Sequence, residues 1–249
     1  MNNHILYKYR PFNCRSLSIL KNREFYFSDP KHFNDPVDCQ IRIYSALKSA
    51  VDLAQREDST VKAKLQKLGK LEEIYTKIES DVKRAAVFSL SKEENNVLMW
   101  SHYTDSHSGF SLGFTLSDTF TEYNELNAII GTNEVHYFEN NPFVDYFLEF
   151  AKSSQPPEWN EFWAPLLSMG LVAKSKPWEY ENEVRILRSK PGKVRFSPSE
   201  LCVVIFGLNM KPKNRQKMRG LLSGHEWSHV QLKEVIREDD GFRLKVVSC

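Results

Sequence analysis

Between two strand-rich stretches this chain carries a helical block, and that arrangement leaves few folds open. Over residues 43–84 the composition turns to Ala, Leu, Lys, Glu and Gln, and Leu65, Leu68, Leu71, Ile74, Tyr75 and Ile78 recur at steps of three and four residues. That period gathers apolar side chains on one face of a helix. A break near Arg56 to Thr60 makes the block a helical hairpin. The class is therefore α+β, a mixed or antiparallel β core with a helical insertion near residues 43–84, and one domain over residues 1–249 is the economical reading.

Strands are predicted over residues 5–9, 24–27, 85–90, 110–115, 135–138, 181–187, 201–206, 230–236 and 242–247, and helices over 16–20, 142–152, 159–173 and onward from Pro212. Ser91-Lys92-Glu93-Glu94 has the order of a capping box and predicts a helix running to about Tyr103. Asp stands before Pro at Asp29-Pro30 and Asp35-Pro36, which favours tight turns. Gln155-Pro156-Pro157 predicts a break, and Asp240-Gly241 a turn joining the last two strands as a hairpin. Gly113, inside a strand, marks a place where backbone or ligand comes close.

Of the 249 residues 41% are hydrophobic and 12% aromatic, enough to close a sizeable core, so a disordered chain is excluded. A formal net charge of +2 supplies no global field to gather nucleic acid or an anionic membrane. Cys14, Cys39, Cys202 and Cys249 lie far apart, without a Cys-x-x-Cys or a His pair at zinc-ligand spacing, so no structural zinc is expected. The opening residues lack the apolar run of a signal peptide, and nowhere do about 18 apolar residues follow one another. The expectation is a protein that engages no membrane and resides in the cytoplasm with reduced thiols.

Four dissimilar motifs follow in order: LYKYR from Leu6, FYFSDPKHFNDPVDC ending at Cys39, VLMWSHYTDSHSGFSLGF ending at Phe114, and KPWEYENEVRIL ending at Leu187. Through them the chain resembles the bacterial family known as domain of unknown function 2971, over nearly its whole length. That family is in turn distantly similar to ADP-ribosyltransferase-like domains. This second resemblance implies two sheets with NAD held in a cleft between them, a polar residue on the first strand, a Ser or aromatic residue in the middle and a Glu on a late strand. The first-strand group would be Lys8, Tyr9 and Arg10, with Lys8 where other members often carry His. Glu181-Asn182-Glu183 looks like the Gln/Glu-x-Glu element of arginine-modifying members.

The resemblance thus implies Glu183 as catalytic carboxylate and Glu181 as the group orienting the acceptor. Lys8 and Arg10 would anchor the NAD ribose or pyrophosphate, and Tyr9, Trp100 or Tyr103 would stack on nicotinamide or adenine. His102, His107 and Arg185 complete the expected nucleotide-binding set. NAD is the expected substrate, no metal is expected, and the partners are a nucleotide and a protein or nucleic-acid acceptor, in a toxin or anti-phage effector.

The residues alone leave alternatives open. Glu181, Glu183 and Arg185 share one face of the 181–187 strand, with Cβ atoms about 7 Å apart, so each carboxylate raises the pKa of the other unless Arg185 intervenes. Such a row is either a reacting centre, where Glu183 stabilises the charge developing as nicotinamide leaves, or a solvated salt-bridge row on an edge strand. Around Trp100, His102, Tyr103 and His107, either the Ser-Gly loop presents backbone N–H groups to a phosphate or the aromatics anchor a core. Asp29, Asn34, Asp35 and Asp38 either build turns or, in a metal-dependent nuclease, hold a hard cation. Lys211, Lys213, Arg215, Lys217 and Arg219 are either the face of a non-catalytic module that binds nucleic acid or protein, or a solvated helix surface backed by Met210, Met218 and Leu221.

Overall fold

The computed structural model describes residues 4–40, 42–54, 59–153, 159–239 and 241–249. In chain order its elements are β1 (Leu6–Arg10), α1 (Cys14–Asn22), β2 (Glu24–Phe27), α2 (Ile43–Ala54), α3 (Ser59–Leu68), α4 (Glu72–Arg84), β3 (Ala86–Ser91), α5 (Val97–Tyr103), β4 (Phe110–Phe114), α6 (Asp118–Thr121) and β5 (Ile129–Glu134). They continue with β6 (His136–Phe138), α7 (Pro142–Lys152), α8 (Trp159–Val172), β7 (Ala173–Ser175), β8 (Glu183–Arg188), β9 (Gly192–Arg195), β10 (Leu201–Phe206), α9 (Pro212–Leu221), β11 (Gln231–Arg237) and β12 (Leu244–Ser248). The fold is α+β. The described residues form two compact units, one of Met1–Phe27, Val87–Glu134 and Glu179–Cys249, the other of Ser28–Ala86 and Val135–Trp178.

The first unit is organised by a mixed eight-stranded sheet in the order β12-β11-β10-β4-β1-β3-β8-β5. The β10–β11 step is parallel, whereas β1 runs antiparallel to β3 and β4, β4 to β10, β5 to β8 and β11 to β12. Among the described residues the strands form this sheet and two two-stranded ribbons, β2–β9 and β6–β7. β4 is central, as its uninterrupted burial requires. An added Cβ at Gly113 would sit 2.5 Å from the Val203 side chain, so the close neighbour expected there is the core itself.

Side chains alternate across a strand, and β1 shows what that does here. Tyr7 and Tyr9 face a core with Met99, Trp100, Val203, Ile205 and Val235. On the other side lies a phenylalanine cluster centred on Phe25, whose ring is 4.4 Å from Phe88, 4.7 Å from Phe196, 4.9 Å from Phe114 and 5.0 Å from Phe120. Lys8 lies 4.6 Å over the Phe88 ring and Arg188 lies 5.1 Å over Phe27, long stems along apolar surface.

The second unit is mainly helical. Tyr75, wholly buried, packs edge-on to Phe147 at 5.8 Å and lies 5.3 Å from Trp163, joining α4 to α7 and α8. The 43–84 block is three helices rather than a hairpin. The break expected near Arg56 to Thr60 lies in part outside the described residues, with α2 ending at Ala54 and α3 starting at Ser59. A second break, a 3-10 turn over Gly69–Leu71, interrupts a run whose apolar spacing reads as continuous. The Gln155-Pro156-Pro157 break lies outside the described residues. So does Asp240, although β11 and β12 do pair antiparallel with Arg237 opposite Leu244.

The end of β3 and the start of α5 differ from the sequence reading for a physical reason. The helix expected from Ser91 begins only at Val97, because Asn96 caps it by accepting from the N–H groups of Leu98 and Met99. Ser91 instead closes β3. Phe25→Ala is expected to cost about 3–5 kcal/mol, since the ring is wholly buried among four others, whereas Tyr26→Ala, at a half-exposed neighbour, should change stability by roughly 0.5 kcal/mol or less. Denaturant midpoints of the two variants check the contrast.

Candidate functional site

The chemistry on the tyrosine side of the sheet starts from two loops tied together. Ser91 Oγ donates to Glu181 O at 2.6 Å, Asn96 Nδ2 to Tyr180 O at 2.9 Å, Asn182 Nδ2 to Glu93 Oε1 at 2.8 Å, and the Lys92 N–H to Asn182 O at 2.9 Å. Tyr9 Oη donates to Glu93 O at 2.6 Å and Tyr7 Oη to Glu94 Oε2 at 3.2 Å. Burial pushes both phenols up, with Glu94 adding to the shift at Tyr7. Residues 91–96 and 180–182 are thereby set beside β1.

On that scaffold α5 presents its last turn to residues 180 and 181. Tyr103 Oη donates to Glu181 Oε1, and His102 Nδ1 lies 2.9 Å from Tyr180 Oη. Glu181 is buried although it is not part of the strand: it ends a 3-10 turn over Lys176–Glu181, and Asn182 follows with φ +42°. The expected row of three on one strand therefore loses its first member, because a left-handed residue cannot continue the pleat. Glu183 and Arg185 keep it. Arg185 Nε donates to Glu183 Oε1 at 2.9 Å and Nη2 to Oε2 at 3.2 Å, a two-pronged pair with Glu183 only 4% and Arg185 0% exposed. The pair is not a solvated row on an edge, since β8 lies between β3 and β5.

Alternation separates the residues expected to share one cavity. Arg188 and Phe27 mark the phenylalanine side of β8, so Val184 and Ile186 accompany Arg188, and Glu183 and Arg185 take the side of Tyr7 and Tyr9. Lys8 and Arg10, alternating with those tyrosines, leave on the opposite side. Lys8 Nζ donates to Ser89 O there, and Arg10 stands in register with Phe110. Tyr9 and Trp100 are spent on each other, edge-on at 5.0 Å and 4% and 0% exposed. Of the three expected stacking residues, Tyr103 alone is partly exposed.

The loop at His107 is not a phosphate cradle. Asp105, Ser106 and His107 all have positive φ, at 53°, 52° and 67°, and Ser106 and His107 turn their N–H groups back on the helix end. Ser106, His107, Ser108 and Gly109 donate to the carbonyls of Ser101, Trp100, Asp105 and Thr104. A left-handed run that ends a helix uses its donors on the last carbonyls. Asn209 N–H donates to His107 O and Gly207 N–H to Gly109 O, both at 2.9 Å, and an added Cβ at Gly207 would lie 2.3 Å from His107 O.

The remaining expected sites divide. Asp29 accepts from the Lys31 N–H and Asp35 from the Val37 N–H, each at 3.0 Å, which is turn-building, and buried Asp38 faces Lys174 at 3.7 Å. Among the described residues no group of three or more His, Cys, Asp or Glu is placed to hold a metal ion. Of the α9 cations, Arg215 pairs with Glu234 and Arg219 lies 5.5 Å over Phe206; Lys211, Lys213 and Lys217 are exposed. Ser91, Asn96, Tyr180 and Asn182, which knit the loops, were not singled out as functional in the sequence. The one available signal was Asn96 standing directly before an apolar helical run.

His107 gives a pH dependence. Burial lowers its pKa below the usual 6.5, so the unfolded chain takes up the proton first as pH falls. The stability this group contributes is present above about pH 6.5 and is lost as pH falls through its lower folded value. Wild type should lose more melting temperature from pH 7 to pH 5 than His107→Asn, a residue that tolerates positive φ; equal slopes in calorimetry would contradict this.

Among the described residues no helix is long and apolar enough to cross a membrane. No curated protein and no solved structure matches the chain, and the likeness to ADP-ribosyltransferase-like domains has no counterpart among these comparisons. A family profile matches part of the chain, leaving the motifs at Leu6 and before Cys39 outside it but taking in most of α5, β4, Glu181 and Glu183: over residues 99–186 the chain is similar to the family described as Protein of unknown function (DUF2971).

Proposed function

We propose that this protein is an NAD-consuming enzyme of the ADP-ribosyl-transfer type, with Glu183 as the carboxylate that meets the charge developing at the anomeric carbon. The observation that carries the reading is the burial of Glu183 in the two-pronged grip of Arg185. A carboxylate so held is fixed in orientation before any substrate arrives, which is the condition for electrostatic stabilisation of a cationic transition state. Glu181, bonded by Tyr103 Oη, orients the acceptor nucleophile. Arg185 takes over the role of positive charge expected from Lys8 and Arg10, and Tyr103 with Tyr180 and His102 forms the rim that meets the nicotinamide ring. Two sheets facing a cleft are no part of this reading.

The test follows nicotinamide release and NAD binding by the full chain. Wild type, supplied with cell extract as acceptor source, should release nicotinamide, and Glu183→Gln should lower the rate by about 100-fold or more while NAD still binds. Absence of NAD binding by calorimetry, with no release in extract, would remove the proposal. A second reading, a non-catalytic module that meets a polyanion through α9, is favoured by exposed Lys211, Lys213 and Lys217. It predicts association that weakens steeply with salt and is abolished by Lys213→Glu with Lys217→Glu, but is untouched by Glu183→Gln.

A further inference from the structure

Arg10 is a partly buried cation with no opposite charge beside it among the described residues. Its Nε is sealed from solvent with no hydrogen-bond acceptor, and among the described residues it makes no ion pair. The charge that bears on it is Arg15, of the same sign, and burial together with that neighbour lowers the Arg10 guanidinium to about 10. The other cations on this side of the sheet each have at least one acceptor: Lys8 donates to Ser89 O, and Arg188 Nε donates to Asn127 O at 2.7 Å, although Arg188 Nη1 is buried without one. An uncompensated buried charge is costly to a fold. Arg10 and Arg15 together are a standing repulsion.

What lies beside Arg10 points to the missing charge. Arg10 stands in register with Phe110 and so projects to the same side, and the Phe12 ring packs edge-on to Phe110 at 6.3 Å. The chain therefore turns from Arg10 directly into the first turn of α1 on that side. Asn13 caps α1 by accepting from the Ser16 N–H at 2.8 Å, and the Leu17 N–H bonds Asn13 O at 3.0 Å. The N–H groups of Cys14 and Arg15 have no acceptor among the described residues, and the first turn holds no acidic residue. A helix start carries roughly half a positive charge. Residues 10–15 thus carry two guanidinium groups, that of Arg15 5.8 Å over the Tyr26 ring, two open backbone donors and that dipole within one short stretch of chain, and Cys14 and Arg15 are exposed, which leaves a way in from solvent.

We propose that Arg10, Arg15 and the first turn of α1 form a binding site for a phosphate-type oxyanion. A tetrahedral anion can accept from the planar guanidinium forks and from the backbone N–H groups at once. A dianion relieves the arginine repulsion and the uncompensated charge in one step. The site lies on the side of the sheet opposite Glu183 and does not depend on the transferase reading.

The experiment titrates the full chain at low ionic strength with inorganic phosphate and pyrophosphate, against chloride at matched ionic strength. It follows the Cys14 and Arg15 amides and the Arg10 Nε–H by NMR, together with the melting temperature. Saturable shifts of these signals and a rise in melting temperature, both specific to the phosphates, are expected. Arg10→Met should weaken binding at least tenfold, yet melt no lower than wild type without phosphate, because the charge it removes has no partner. Arg15→Gln, at an exposed position, should weaken binding several-fold and decides the matter if Arg10→Met fails to fold. Adenosine monophosphate and a short single-stranded oligonucleotide then separate a terminal phosphate from a phosphodiester backbone by which binds tighter. Absent saturation with both inorganic anions, or affinity unchanged in Arg15→Gln or in a folded Arg10→Met, overturns the proposal.

Discussion

The pleat of β1 decides where every charge near the start of the chain ends up. Tyr7 and Tyr9 go one way and Lys8 and Arg10 the other because successive side chains must leave a strand on opposite faces. The tyrosine face closes over Trp100 and is stitched to Glu93 and Glu94 through two phenol hydroxyls. The cationic face meets phenylalanine rings, where Lys8 finds a carbonyl and Arg10 does not. A one-residue slip of this strand would exchange the two sets and leave two cations under Trp100. The tyrosines are thus the reason the basic residues are kept away from Glu183.

The Glu183–Arg185 pair lives under a second constraint. Two opposite charges taken from water recover their desolvation only with close geometry and further bonds, and here both arginine contacts fall within hydrogen-bond range. Such a pair stabilises the fold little compared with well-packed apolar side chains of the same volume. What it secures is a carboxylate of fixed orientation inside a strand that would otherwise read as core. Glu181 is fixed by different means, a backbone tie from Ser91 and a side-chain bond from Tyr103.

Legibility in the sequence followed the range of the interactions. Periodic elements were readable: the strands near residues 24–27 and 201–206 and the helix over 142–152 fall where their spacing puts them, because their signal is local. The partnership of Glu183 with Arg185 was also readable, being a matter of two residues on one strand. Three things were not. Gly69 splits α3 from α4 where the leucine spacing runs on, since a single glycine does not announce a turn. β5 carries an irregularity between Ile129 and Gly131 that spoils its alternation. The loop at His107 resembled an anion cradle because Ser and Gly also furnish the left-handed turns that end helices, and the carbonyls it serves are set by tertiary structure.

The parallel step from β10 to β11 carries a consequence for α9. Two parallel neighbours cannot be joined by a hairpin; the chain must travel back the length of the sheet before it can start again in the same direction. Some connector of about this length is therefore compulsory between Phe206 and Gln231, whatever side chains it displays. Cutting it to a tight turn would force β11 to run the other way and would withdraw Val235 from its place against Tyr9 and Trp100. A crossover is demanded by topology, but the positive charge on the outer surface of the helix that makes it is not, so those lysines are free to change without disturbing the sheet beneath them.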